Sequence, residues 1–178
     1  MEGVRAIGAL IFGTRRRVSL QMNEPEAGRK HPAHMPLVEH HNEPVIIFLT
    51  VCSKDRKRTL ASADVTQVII QAWTGARSWL VGRYVIMPDH IHFFCAPSVF
   101  PLEPLNQWVR YWKNLASKNW PRPNEHPIWQ RDFWDTQLRR HENYDSKWEY
   151  VINNPVRAGL ASREEDWPFH GELNILRW

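Results

Sequence analysis

Cysteine is scarce in this chain: there are two, Cys52 and Cys95, in 178 residues. Both sit in apolar, strand-like runs, and no secretory signal pattern is recognised. A disulfide framework is therefore excluded, and a reducing cytoplasm is the expected setting. Long apolar runs are missing too. The stretch Ile7 to Phe12 is too short for a signal core or a membrane span, so no membrane is expected. Nor is there a large excess of charge of one sign. Charged residues are 24% and the formal net charge is +4, with an isoelectric point near 9.3. A disordered polyelectrolyte is excluded, and an anionic partner is permitted but not identified.

What is present is an ordinary apolar fraction, 43%, and ten tryptophans. That is enough to bury one core, with tryptophan left over as flat stacking surface. Residues 1–43, with Arg15-Arg16-Arg17 and little periodicity, read as an N-terminal extension. Residues 44–160 carry the patterned domain, and 161–178 form a tail that packs back.

The β-branched run Val45–Val51 predicts a first strand. After the basic loop "CSKDRKRTLAS", Ser62 and Asp64 open a helix predicted to reach about Leu80, with Val65, Val68, Ile69, Ala72, Trp73 and Ala76 at helical spacing and Gly82 as the breaker. Tyr84–Met87 and His90–Ala96 predict two strands joined at Pro88-Asp89 as an antiparallel hairpin. A second helix is expected over Pro101–Trp120, with Leu105, Trp108, Val109, Trp112, Leu115 and Ala116 as its apolar stripe. Ile128–Leu138 reads as a fourth strand. A last helix from about Asp145 ends at Asn154, stopped by Pro155. The order is α+β, the ferredoxin-like βαββαβ antiparallel sheet with one added C-terminal helix. Two helices cover one face, and the other is left for the added helix or a ligand.

The third strand carries the first chemical signal. In "VIMPDHIHFF", His90, His92 and Phe94 share one strand face, while Ile91, Phe93 and Cys95 share the other. The second set is core, so both imidazoles point to the face away from the main helices. Their Cα atoms stand about 7 Å apart, and their rings can converge on one metal ion. Two histidines are an incomplete ligand set, and spacing alone also fits an ordinary hydrogen-bonded pair.

The added helix carries the second signal. Trp148, Val151 and Ile152 form its apolar stripe, with Tyr144 just ahead of it as a packing residue. Tyr150 lies roughly 130° from that stripe, beside Asn154 at i+4 and near Lys147. A tyrosine hydroxyl can attack a phosphodiester when a cation neutralises the charge that develops. His90, His92 and the Asn154 side-chain oxygen would make a neutral three-ligand site. Mg²⁺ or Mn²⁺ there would complete its shell with water and phosphate oxygens.

Three segments, "YVIMPDHIHFF", "IWQRDFWDTQLR" and "YVINNPVRAGL", taken in this order and spacing, resemble the REP-associated tyrosine transposases. Those are IS200-like members of the HUH single-tyrosine class, named for histidine, hydrophobic residue, histidine. The resemblance covers about residues 45–160. It implies a cytoplasmic bacterial protein, acting on nucleoid DNA, that binds single-stranded hairpins formed by palindromic repeats. It implies cleavage and rejoining of one strand through a 5′-phosphotyrosine. By this resemblance Tyr150 is the catalytic nucleophile, and His90, His92 and Asn154 are the metal ligands, with Mg²⁺ or Mn²⁺ as cofactor. Related transposases often carry glutamine where Asn154 stands, and Asn153 competes for the role, although the i+4 spacing favours Asn154.

Lys54, Arg56, Lys57, Arg58, Arg110, Lys113, Arg131 and Arg157 are the candidate DNA-binding cations, joined by Lys118, Arg139 and Arg140. Together they would supply salt-dependent attraction to phosphates, while exposed tryptophans would stack on unpaired bases. Monomer is favoured over homodimer, because the tail from Ala161 can pin the last helix onto its own domain. The alternatives are a hairpin-binding protein of the same fold without cleavage, a metal-dependent hydrolase in which water attacks, and a structural protein with core histidines.

Overall fold

The computed structural model describes residues 45–99, 101–138 and 144–177. The N-terminal extension with its Arg15–Arg17 run, and Arg139 and Arg140, lie outside the described residues. Five strands form one antiparallel sheet: β1 Ile47–Cys52, β2 Trp79–Ile86, β3 His90–Pro97, β4 Trp134–Gln137 and β5 His170–Glu172. Their spatial order is β4-β1-β3-β2-β5. The first four strands, with α1 (Ala63–Gly75) and α2 (Leu105–Lys118) between them, follow the expected βαββαβ succession. The added C-terminal helix is α3, Tyr144–Ile152, followed by the short α4, Asn154–Arg157.

Register explains how the sheet sorts its residues. Partners across an antiparallel pair share a face. Leu49 pairs with Phe93 and Val51 with Ile91, while Thr50 pairs with His92 and Cys52 with His90. On the first face, Leu49, Val51, Ile91 and Phe93 are fully buried with Trp73, Trp108 and Trp112 of α1 and α2. Ring contacts tie this layer together: Trp112 meets Trp73, Phe93, Trp108 and Trp129. The Trp108 indole donates to the Ala76 carbonyl at 2.7 Å, whereas the buried indole N–H groups of Trp73, Trp112 and Trp129 find no acceptor among the described residues.

The opposite face holds Phe48, Val85 and Phe94 beside the histidines. There Val151 and Ile152 of α3 bury against Val85, Met87 and Trp167, and Tyr144 packs edge-on to Phe94 at 4.7 Å. Tyr144 is thus a packing residue, in keeping with its place beside the apolar stripe.

Some boundaries differ from the sequence reading. Helix α1 stops at Gly75, five residues short of Leu80, because Trp79-Leu80-Val81 enters β2 and pairs with Pro97, Ala96 and Cys95. Gly82 therefore lies inside a strand rather than ending a helix. A Cβ there would sit 2.7 Å from the Leu176 side chain and 3.1 Å from the Tyr144 hydroxyl, so glycine permits the close approach of tail and helix. The fourth strand is confined to Trp134–Gln137. The preceding segment keeps only one bridge to the sheet, between Ser53 and Trp129. A fifth strand, unseen in the sequence, comes from the tail and pairs with Arg83–Val85 of β2.

Candidate functional site

The two imidazoles meet. His90 Nε2 and His92 Nε2 are 3.1 Å apart, with the rings nearly perpendicular. The far nitrogen of each ring is held. His90 Nδ1–H donates to the Asp89 carboxylate at 2.7 Å, and His92 Nδ1 shares a 2.8 Å hydrogen bond with the Thr50 hydroxyl. Phe48 stacks on His92 with centroids 5.5 Å apart. With both Nδ1 atoms engaged elsewhere, the two Nε2 atoms face each other.

That geometry fits a metal ion. Two bonds of about 2.1 Å at a right angle put their nitrogens about 3 Å apart. Orientation by a carboxylate and a hydroxyl is the usual support for ligating histidines. Burial lowers the pKa of His90, against the opposing pull of Asp89. Burial also pushes His92 well below the ordinary imidazole range, reinforced by the nearby positive charges of Arg56, Lys147 and Arg157. Neutral imidazole is the form that binds a metal. Among the described residues no cluster of three or more His, Cys, Asp or Glu side chains gathers here.

Asp89 and Arg56 are the residues that sequence reasoning passed over as site architecture. Asp89 was legible only as a turn residue, and Arg56 only as one charge of a basic loop. The Arg56 guanidinium pairs with Asp89 Oδ2 at 2.8 Å, reaches the Cys52 sulfur and lies 3.5 Å from His90 Nδ1. The backbone bends sharply to put it there: Asp55 and Arg56 have φ of 54° and 55°, a left-handed conformation that costs a non-glycine residue roughly 1–3 kcal/mol. Ser53 anchors the same corner, its hydroxyl donating to the Asp89 carbonyl. Thr50 is the other residue missed, although its alternation with Leu49 and Val51 puts it on the histidine face.

Pro155 shapes the tyrosine segment. With no N–H to give and a ring that crowds the preceding turn, it interrupts α3 at Asn153 and opens α4. Tyr150 projects outward, 36% exposed, while Val151 and Ile152 are buried. The two asparagines separate by their partners. Asn153 donates its amide to the Glu149 carbonyl and to Glu164, whereas the Asn154 carboxamide oxygen accepts from Arg157. Arg157 also lies over the Tyr150 ring, 3.8 Å from its centroid. Lys147 sits over Phe48, the ring that stacks on His92. The face of α3 that carries Lys147 therefore adjoins the histidine pair.

The candidate DNA-binding cations fall into groups. Lys54, Arg56, Lys57 and Arg58 are exposed on the loop beside His90. Arg110 and Arg131 are exposed on the walls of a cleft of about 650 Å³ between α2 and residues 126–133. Lys118 is exposed at the end of α2. Lys113 departs from this pattern of solvated charges. It is buried, and its ammonium donates to the carbonyls of Gln130 and Arg131. It acts as a strut between α2 and the segment ahead of β4. Burial lowers its pKa to about 8.

Among the described residues the tryptophans divide: Trp129, Trp134 and Trp148 are half-buried and the others buried, while the exposed Tyr and Phe side chains are Tyr111 and Tyr150.

The architecture is a ferredoxin-like α+β fold, with a histidine–hydrophobe–histidine strand under an added helix. A REP-associated tyrosine transposase of Escherichia coli K12 is 26% identical over 126 residues, spanning 68% of this chain and 73% of its own length. A Haemophilus influenzae protein, provisionally given the same family name, is 29% identical over 97 residues, or 53% of its length. A solved structure of the REP-associated tyrosine transposase bound to a REP hairpin superposes with a TM-score of 0.61 at 21% identity, covering 77% of this chain and 82% of that one. No protein-family model matches the chain. The chain is thus similar in sequence to REP-associated tyrosine transposases and shares its fold with one of known structure.

Proposed function

We propose that this chain is a metal-dependent transposase or endonuclease for single-stranded DNA, cleaving and rejoining palindromic hairpins through a 5′-phosphotyrosine. The observation that carries the reading is the convergence of His90 Nε2 and His92 Nε2 at 3.1 Å, on the sheet face that the tyrosine-bearing helix covers. The hairpin in the related solved structure supports the substrate class.

In this reading His90, His92 and the Asn154 oxygen hold a divalent ion, Mg²⁺ or Mn²⁺. When bound, such an ion supplies charge neutralisation at the phosphate. Asp89 and Thr50 hold the imidazoles in the orientation that leaves Nε2 open. The Tyr150 hydroxyl gives its proton to water as its oxygen forms a bond to phosphorus, the bond to the 3′ oxygen breaks, and that oxygen takes up a proton from water. The 5′ side of the DNA stays on the tyrosine, and the leaving strand departs as a 3′-hydroxyl. A 3′-hydroxyl of a second strand end reverses the step without ATP, because the phosphotyrosine link conserves the bond energy. Lys54, Lys57 and Arg58, exposed on the loop whose Arg56 reaches His90, would attract the backbone, and Arg110 and Arg131 would extend the positive surface along α2. Helix α3 packs on the sheet of its own chain, which supports a monomer acting in cis. Among the described residues no helix is long and apolar enough to cross a membrane.

The test is incubation of labelled single-stranded hairpin DNA with the full chain and Mn²⁺ or Mg²⁺, followed by denaturing electrophoresis. The expected result is a nicked strand and a covalent protein–DNA band, both lost in Tyr150→Phe. Nicking retained in Tyr150→Phe would assign attack to water. Binding without nicking in the native chain would assign a hairpin-binding role.

A further inference from the structure

Arg157 contacts both Tyr150 and Asn154. Its guanidinium carbon lies 3.8 Å from the centre of the Tyr150 ring, and a terminal nitrogen donates to the Asn154 carboxamide oxygen. Spacing explains the reach: Asn154 and Arg157 are at i and i+3, and Tyr150 is one turn before Asn154 on the same side of the broken helix. The guanidinium itself is exposed. It is therefore accessible to a ligand and is not held in place by burial.

Two cations would compete for the Asn154 oxygen. A divalent ion held by His90 and His92 needs it as a further ligand, and the guanidinium already occupies it. Like charges sharing one acceptor oppose each other. A DNA phosphate offers the guanidinium a better partner, since its planar fork pairs with two phosphate oxygens at once. A phosphate approaching Tyr150 arrives where the guanidinium is already stacked.

We propose that Arg157 is a positioning residue that acts as a latch: in the free protein it holds the Asn154 oxygen and the Tyr150 ring, and on DNA binding it transfers to a phosphate and frees that oxygen for the metal ion. Metal and DNA then bind cooperatively, and the coupling is reciprocal. The free protein is a weak metal binder, which restrains cleavage before substrate arrives. This inference rests on the reading of His90, His92 and Asn154 as the metal-holding set.

The experiment is a Mn²⁺ titration followed by the electron paramagnetic resonance signal of the free ion, on the full chain, with and without hairpin DNA. Native protein is compared with Arg157→Ala, Arg157→Lys, Asn154→Ala, the Arg157→Ala/Asn154→Ala double variant and His90→Ala. Without DNA, Arg157→Ala is expected to bind Mn²⁺ about threefold to tenfold more tightly than native protein, a coupling typical of linked sites. That gain should vanish in the Asn154→Ala background. Hairpin DNA should raise Mn²⁺ affinity more in native protein than in Arg157→Ala. Arg157→Lys, which keeps the charge but loses the fork, should fall between them. Unchanged or weaker Mn²⁺ binding in Arg157→Ala would overturn the latch. So would a gain that persists without Asn154, because simple charge removal would then account for it. His90→Ala separates the two readings. Mn²⁺ binding that survives His90→Ala sinks the metal reading itself. Binding lost in His90→Ala but indifferent to Arg157→Ala sinks the latch alone.

Discussion

The two faces of the sheet are built from the same strands by alternate residues, yet they differ in kind. On the α1/α2 face, Leu49, Val51, Ile91 and Phe93 meet Trp73, Trp108 and Trp112 in one continuous, fully buried layer. On the other face, apolar packing splits into two smaller clusters, around Phe94–Tyr144 and around Val85–Val151. The histidine pair, Thr50 and Phe48 belong to that face. A strand repeat of two residues thus divides one element between the buried core and, in the proposed function, a chemical face. His92 stands between Ile91 and Phe93 in sequence, but its side chain belongs to the other layer.

The comparison can be broken experimentally, beginning with the largest effect. Mutation on the chemical face should remove function and leave the fold: His92→Ala is expected to lower Mn²⁺ affinity by about a hundredfold or more, with far-ultraviolet circular dichroism unchanged. Mutation on the helix face should do the reverse. Trp112→Ala is expected to cost about 3–5 kcal/mol of stability in urea unfolding, with Mn²⁺ affinity of the folded fraction retained. Smaller effects sharpen the boundary. Asp89→Asn keeps the turn but weakens the acceptor for His90 Nδ1–H and the partner of Arg56. It should reduce Mn²⁺ affinity about tenfold, and no change would leave Asp89 as a turn residue only.

The smallest expected effect concerns pH. Lys113 titrates near 8 in the folded chain and near 10.4 when unfolded. Between those values the unfolded state binds the extra proton, so the Lys113 contribution to stability rises with pH. The melting temperature of native protein minus that of Lys113→Met should therefore increase from pH 8 to pH 10. A flat difference would mean that Lys113 is not desolvated as its burial implies.

Most of the fold was legible because each element carried its own periodicity. The β-branched run before Cys52, the stripe from Leu105 to Ala116 and the alternation around His92 each name one element and one face. The missed features depend on contacts between distant segments. Gly82 reads as a breaker unless Leu176 is known to press on it. The tail strand His170–Glu172 is too short for a pattern and exists because β2 has an edge to pair. Which tryptophans are core was not legible, because composition does not tell which of them the two helices bury.

The histidine pair was visible from strand parity, but its supports were not. Asp89 looks like any turn aspartate and Thr50 like any strand threonine until register puts them against His90 and His92. Arg157 looked like one more solvated charge. Its stacking on Tyr150 appears only when Pro155 has broken the helix.

The central claim is that Tyr150 of α3 is the group that joins DNA. Its most direct test is mass spectrometry of proteolytic peptides from the full chain after reaction with single-stranded hairpin DNA and Mn²⁺. The account predicts a nucleotide adduct on the peptide containing Tyr150. An adduct on the Tyr144 or Tyr111 peptide, or strand cleavage with no adduct at all, would contradict it.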